Sequence, residues 1–362
     1  MPAAQFAEFL KRKDIVSLED RYLLVRQLQV LQKAGVPLLA SLNALEAQVP
    51  SGVLQRTLKA ISQDLLNGCT LSQAFARYPH SFDPIFIGLI KIGEAGGLLD
   101  EVLKRLADLC AGELELRSTI RQALQYPAIV LLTLAGALSI MVAFVLPRFA
   151  QLFGSFHLKL PIQTRIVLAL SALLIHYGWL LALGLLGGIA ALWAYIRTDP
   201  GRLWWDRTLL RLPVLGPVIL QLGMSRMARA VSALSGSGVP MLETLALAAQ
   251  SVNNRYIQEG LGRVVDRVKG GEALASALKA EHLFPAIVIQ MVATGEEAGH
   301  LDELMRHVSD YYDQQVTYLL KKLLTYVEPA LLILMGVGVL IMASSVLVPM
   351  WDLVKVFKQT GG

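Results

Sequence analysis

The 362-residue chain is short of charged residues and of cysteine. Asp, Glu, Lys and Arg make up only 17% of it, whereas hydrophobic residues make up 54%. Soluble globular proteins carry about 25% charged residues, so this composition predicts that part of the chain faces lipid. Two cysteines, Cys69 and Cys110, do not make a disulfide framework and favour a reducing cytosol.

The two long polar segments of the chain, residues 1–126 and 197–328, carry almost no excess of positive charge. Residues 1–126 hold 14 Lys and Arg against 13 Asp and Glu, and residues 197–328 hold 14 against 14. Residues 127–196 hold three bases and no acid, so the net charge of +5 lies near the predicted membrane. We therefore expect no binding of nucleic acid. The N-terminus, MPAAQFAEFLKRKD, has no apolar core after its charges and does not predict a signal peptide.

Motifs that would indicate catalysis are missing as well. The chain has no H-E-x-x-H, no C-x-x-C and no G-x-S-x-G motif. No strand pattern precedes its glycine-rich turns and no Lys-Ser or Lys-Thr follows them, which disfavours a phosphate-binding loop. We expect no enzymatic activity and no cofactor, and metal binding is left open.

Three apolar runs are present, and each is long enough to cross a bilayer. They predict transmembrane helices over 127–146, 169–196 and 329–349. Eight Lys and Arg flank the runs on the side of the two large polar segments, against five on the other side. This bias places the N-terminus in the cytoplasm, and it places the loop 147–168 and the tail 350–362 in the periplasm.

An internal repeat organises the chain. Residues 34–48 resemble residues 237–251, and residues 92–103 resemble residues 294–305, at offsets of 203 and 202. Apolar residues after each second segment recur at i, i+3, i+4 and i+7, which predicts a long amphipathic helix. We therefore predict an all-α membrane protein with two repeated cytoplasmic helical-bundle domains, over 1–126 and 197–328, and three transmembrane helices.

Local signals predict where some of these helices begin and end. Gly35 and Gly238 suit left-handed helix ends, each followed two residues later by a proline that starts the next helix. Thr70 and Gln73 have the spacing of a capping box. The segment 198–201, Thr-Asp-Pro-Gly, predicts a turn after the second span.

The doubled G-E-x-x-G-x-L-D pattern and one membrane-edge acid are the candidate sites. The acids could bind the bases of a partner, or a cation. Alternatively, the aspartates stabilise helix N-termini, the glycines form interhelical turns, and the membrane-edge acid sits among lipid headgroups. The candidate partner-coupling residues are Gly93, Glu94, Gly97, Asp100, Gly295, Glu296, Gly299, Asp302 and Glu328.

The doubled motifs resemble those of the secretion-system protein F family, and so do the segments 26–39 and 145–165. That family includes the F proteins of type II secretion and the PilC-type proteins of type IV pili. The resemblance implies an inner-membrane platform that contacts a hexameric secretion ATPase, pilin or pseudopilin subunits and other inner-membrane assembly proteins. We also expect it to form homo-oligomers. A channel or carrier and an intramembrane hydrolase are the alternative functions, but the apolar runs offer few polar residues for either.

Overall fold

The computed structural model describes residues 15–50, 52–140, 186–213 and 215–360, together with residues 180, 183 and 184. Within these residues the regular secondary structure is entirely α-helical, which confirms the predicted all-α class. The predicted loop 147–168 and half of the second predicted span lie outside the described residues.

Among the described residues, six helices lie in the first half of the chain and seven labelled helices in the second half. The first six are α1 Leu18–Lys33, α2 Leu38–Gln48, α3 Val53–Leu66, α4 Leu71–Ala76, α5 Pro84–Gly96 and α6 Leu99–Ile140. A shorter apolar helix, Leu186–Ile196, then precedes the rest. These are α7 Asp199–Arg211, α8 Leu215–Ser235, α9 Met241–Ser251, α10 Arg255–Lys269, α11 Leu274–Ala280, α12 Ala286–Ala298 and α13 Leu301–Thr360.

The order of helices reproduces the repeat. Helices α8 to α13 follow α1 to α6 one for one, and five of the six pairs begin 202 or 203 residues apart. Helix α7 has no described counterpart in the first half. The chain therefore contains two copies of a six-helix unit, called repeat 1 (α1–α6) and repeat 2 (α8–α13) below.

Most of the local signals are confirmed. Gly35 and Gly238 have φ angles of 76° and 81°, a conformation that glycine adopts without steric cost. Thr70 and Gln73 form the capping box at the start of α4. The turn predicted at 198–201 is wrong, because α7 begins at Asp199 and the Thr198 Oγ1 accepts a hydrogen bond of 3.2 Å from the Gly201 N–H.

The two repeats share one compact unit, which comprises Met1–Thr119 and Asp206–Thr317. One hydrophobic core includes buried side chains of both repeats, such as Phe75 and Leu89 in repeat 1 and Val264 and Val288 in repeat 2. The prediction had treated each repeat as a domain of its own. Within the described residues the two repeats pack into one compact unit, and the predicted domain boundaries stay predictions.

Helix α5 is where repeat 2 packs against repeat 1, since it contacts both α8 and α9. Gly88 lies at this contact, and a Cβ atom there would come within 3.1 Å of the Leu247 Cδ1. A larger residue would push α9 away, so the absence of a side chain at Gly88 allows the close packing.

The second compact unit comprises Ile120–Trp205 and Tyr318–Gly362. Large apolar side chains are exposed along it; Leu132, Leu186 and Ile333 are 77%, 65% and 69% exposed. The Thr133 hydroxyl donates to the Ile129 carbonyl at 2.9 Å, and in this way a polar group in an apolar helix finds a partner within the helix. Such a surface suits contact with lipid.

Among the described residues one helix is long and apolar enough to cross a membrane, the part of α13 over Leu301–Leu340. This helix passes through Pro329 without a break, as α6 passes through Pro127. The spans predicted at 127–146 and 169–196 run into residues outside the described ranges. All three span boundaries stay predictions.

Candidate functional site

The doubled glycine pattern forms two equivalent turns, one between α5 and α6 and the other between α12 and α13. Gly97 and Gly299 end the preceding helices in the left-handed conformation, with φ angles of 65° and 73°. A side chain with a Cβ is strained there, so the glycines allow each turn to be short.

Gly93 and Gly295 have a different role in the same turns. Each is buried on its helix, facing the start of the helix that follows. A Cβ atom at Gly93 would lie 3.1 Å from the Val102 Cβ, and one at Gly295 would lie 3.0 Å from the Leu301 Cα. The missing side chains let the two helices of each turn pack closely.

Glu94 and Glu296 each bind the N-terminus of another helix. The Glu94 carboxylate accepts hydrogen bonds from the backbone N–H groups of Leu71 and Ser72, which open α4. Glu296 accepts at 2.8 and 2.9 Å from the first two N–H groups of α11. Free N–H groups and the helix dipole both favour a carboxylate at this position. The two glutamates therefore have a structural role, while their contact with a partner stays a prediction.

Asp100 and Asp302 lie in the first turns of α6 and α13, where a negative charge favours the helix dipole. Both are partly exposed. Glu101 and Glu303 follow them, so each long helix begins with two adjacent acids.

A charged groove lies between the first turns of the two long helices. It has a volume of about 800 Å³ and is formed by α6, α8 and α13, all in the first compact unit. Gly236, the residue directly after α8, leaves room at this groove for the Arg105 guanidinium and the Asp302 carboxylate, which both approach it. The charged residues of the groove are Glu101, Lys104, Arg105, Asp108, Arg229, Asp302, Glu303, Arg306 and Asp310.

Two ion pairs attach α8 to both long helices. Arg226 bonds to Glu113 of α6 through two contacts, Nη2 to Oε1 at 2.6 Å and Nε to Oε2 at 3.1 Å. Arg229 bonds to Asp313 of α13, which also accepts a hydrogen bond from the Ser225 hydroxyl. Because these side chains are mostly buried, removing one partner of a pair would leave a buried charge unpaired, which is costly.

The sequence prediction missed these four charged residues, because none belongs to a motif. A signal was nevertheless present in the differences between the repeats. Arg226 corresponds to Leu23, and Glu113 corresponds to Gln315. At each of these two positions one repeat has a charged residue and the other has an uncharged one. Such a difference is expected where the two repeats contact each other, whereas positions that pack inside each repeat should be alike.

Equivalent positions in the two repeats hold a buried thiol and a buried phenol. Cys110 on α6 and Tyr312 on α13 are 8% and 3% exposed. Burial raises the pKa of Cys110 to about 11 and that of Tyr312 to about 12. Both groups are therefore neutral at physiological pH.

Glu328, the membrane-edge candidate, is exposed on α13 in the second compact unit. It is distant along the helix from the groove residues 302–310. Within the described ranges no group of three or more His, Cys, Asp or Glu side chains is arranged to hold a metal ion.

Comparison with known proteins agrees with this repeated architecture. The family model for type II secretion system protein F matches twice, over residues 24–147 and 227–349. Type II secretion system protein F of Aeromonas hydrophila is 32% identical over 93% of this chain and 87% of its own length. Type 4 fimbrial assembly protein PilC of Pseudomonas putida is 34% identical over 88% and 80%. Type IV pilus assembly protein PilC of Thermus thermophilus is 33% identical over 93% and 83%. The chain belongs to the type II secretion system protein F family.

Proposed function

We propose that this chain is the inner-membrane platform of a type IV pilus or type II secretion machine. In this role it couples a cytoplasmic hexameric ATPase to the assembly of pilin or pseudopilin subunits, alongside other inner-membrane assembly proteins. The relatives named above carry out pilus assembly or belong to secretion systems by name, which supports the class of machine. The platform acts without catalysis of its own.

The observation that carries the proposal is the course of helix α13. Its first turns supply Asp302, Glu303 and Arg306 to the charged groove. The same unbroken helix then contains the one segment, among the described residues, that is long and apolar enough to cross a membrane, within Leu301–Leu340. A helix is stiff along its axis, so a displacement at its charged end is transmitted to its apolar end. We propose that the ATPase docks on the charged groove, and that α13 carries its movement into the membrane.

The shared core supports the predicted topology. Glu113 and Arg226 are bonded to each other, which supports a topology in which both lie on the same side of the membrane. In this topology the chain between them crosses the bilayer an even number of times. Two apolar runs, 127–146 and 169–196, fill this interval, and the third, 329–349, takes the C-terminus to the other side. A reporter inserted at the Gly270–Gly271 turn should be cytoplasmic and one fused after Gly362 periplasmic. The same location for both would reject the three-span topology.

The groove is tested by removing its charge. We expect the pair Glu101→Gln and Glu303→Gln to abolish filament assembly or secretion and to reduce co-purification of the ATPase, with a normal amount of platform protein in the membrane. Both acids are exposed, so their neutralisation should change stability by less than about 0.5 kcal/mol.

The matched control is a pair of exposed acids outside the groove, Glu115→Gln on α6 and Glu297→Gln on α12. It should assemble filaments at the wild-type level. Equal output from both pairs would reject the groove as the ATPase site. The pair Glu94→Gln and Glu296→Gln then tests the predicted coupling residues, and loss of output together with loss of protein would assign them a structural role only.

A further inference from the structure

Each repeat has a groove at the same place, and the two grooves differ in what covers them. The first-repeat groove measures about 240 Å³, and the second-repeat groove measures about 650 Å³. Five residues of the two linings occupy equivalent positions: Leu18 and Gln221, Asp83 and Pro285, Ile85 and Ile287, Leu109 and Tyr311, and Cys110 and Tyr312. Helix α7 also lines the second-repeat groove, through Arg207, Leu210 and Arg211.

Repeat 2 covers the first-repeat groove. Arg226, Arg229 and Ala230 of α8 line it, and Gln250 and Ser251 at the end of α9 line it too. The second-repeat groove is lined, among the described residues, only by side chains between Arg207 and Tyr312, none of them from repeat 1. Tyr311 is accordingly 40% exposed in it.

The face of α8 that covers the first groove has a counterpart on α1, and that counterpart is exposed. Leu23 and Val30 are 51% and 56% exposed, whereas Ala233, the equivalent of Val30, is 8% exposed. Glu19, Leu23, Arg26, Gln27 and Val30 form one exposed stripe along α1, with helical spacing. This set is called the α1 stripe below.

The contact between the repeats is therefore not two-fold symmetric. Two-fold symmetry would bury the α1 stripe in the second-repeat groove, as α8 is buried in the first. Instead the contact is head-to-tail, and on every chain it leaves the α1 stripe and the second-repeat groove without a contact to the other repeat. Surfaces of this type join copies of a molecule into rings or rows.

We propose that the second-repeat groove of one chain binds the α1 stripe of a second copy, in the way that the first-repeat groove binds α8. Leu23 and Val30 then cover the exposed face of Tyr311. Arg207 and Arg211 in the groove are opposite in charge to Glu19 of the stripe. This proposal is independent of the platform function.

Cross-linking between two differently tagged full-length copies in membranes tests the arrangement. One copy carries Leu23→Cys and the other carries Gln315→Cys. These positions are equivalent to Arg226 and Glu113, which contact each other within the chain. The background is Cys69→Ser, and the buried Cys110 with its raised pKa should not react. The reagent is a short bis-maleimide, chosen as one that links Arg226→Cys to Glu113→Cys within a single chain.

We expect a cross-linked dimer that carries both tags when the two variants are co-expressed, and monomer when either is expressed alone. Adding Val30→Asp should remove the dimer without lowering the amount of protein, since Val30 is exposed in the single chain. A dimer from Leu23→Cys alone would show a two-fold contact and overturn the proposal. Monomer only from the co-expressed pair would overturn it as well.

Discussion

The two repeats have the same helices, turns and caps, but different surfaces. Inside each repeat the equivalent positions are alike: Gly97 and Gly299 form the same turn, and Glu94 and Glu296 bind the same kind of helix N-terminus. Where the repeats meet, they differ, as Leu23 does from Arg226. The two repeats are thus alike at the positions that pack inside each repeat. They differ at the surfaces that each repeat uses for a different contact.

The likeness of the two cores is tested by truncating one equivalent pair. Leu103 and Met305 are 0% and 1% exposed, so Leu103→Ala and Met305→Ala should each lower the free energy of unfolding by about 2–5 kcal/mol. Thermal unfolding of the full-length chain in detergent, followed by circular dichroism, measures both. A loss under about 1 kcal/mol for one of them would mean that the repeats are not packed alike.

The difference at the contact between repeats is tested by Arg226→Ala and Leu23→Ala. Arg226→Ala removes two charge-assisted hydrogen bonds from a mostly buried Glu113 and should cost about 1.5–3 kcal/mol. Leu23 is exposed in the single chain, so its truncation should stay within about 0.5 kcal/mol in the same measurement on dispersed monomer. Equal losses of unfolding free energy in the two variants would show that the α8 face at Arg226 and the α1 face at Leu23 do not differ in burial.

The glutamate caps should show a smaller effect, and an unequal one. Glu94→Ala and Glu296→Ala each leave two helix N–H groups without a carboxylate, at a cost of about 0.5–2 kcal/mol. We expect the larger loss at Glu94, because Glu94 is half-buried and Glu296 is exposed. Glu297→Ala, an exposed neighbour, serves as the control, and a loss there as large as at Glu296 would contradict the capping role.

The ionisation of Cys110 and Tyr312 should leave stability unchanged at neutral pH and lower it only in alkali. The folded state raises both pKa values, so their contribution to stability is complete below pH 9 for Cys110 and below pH 10 for Tyr312. It is lost as the pH rises towards about 11 and about 12.

Melting temperatures between pH 8 and pH 11.5 measure this effect. Part of the wild-type decrease above pH 9 should be absent in Cys110→Ala, and part of that above pH 10 should be absent in Tyr312→Phe. Curves for the variants that run parallel to the wild type would show that neither group is responsible.

The parts of the structure that depend on neighbouring residues were predictable from the sequence. The left-handed glycines at 35 and 238 and the capping box of Thr70 and Gln73 are of this kind, because donor, acceptor and backbone conformation lie within a few residues. The error at 198–201 has a local cause also. Thr-Asp-Pro-Gly suits both a turn and the first residues of a helix, and the Thr198 hydroxyl selects the helix.

The parts that depend on packing between distant segments were not predictable. Glu94 binds N–H groups 22 and 23 residues away, and Glu113 binds an arginine 113 residues away. No periodicity encodes such pairs, since they arise only when whole helices pack together. The charged groove is of the same kind: its acids were visible as helix starts, but their convergence on Arg105 and Arg229 required the contact between the repeats.

The shared core also bears on how the chain is made. Repeat 1 leaves the ribosome with the Gly88 face of α5 uncovered, and Leu247, which covers it, is synthesised only after both intervening apolar runs. In the proposed three-span topology, failure of one of those runs to insert would deliver Leu247 and Arg226 to the wrong side of the bilayer. The half-finished domain would then keep an open apolar face to proteases and chaperones. In that topology, completion of the fold would serve as a check on membrane insertion, and a misinserted chain would be recognisable before any machine is assembled around it.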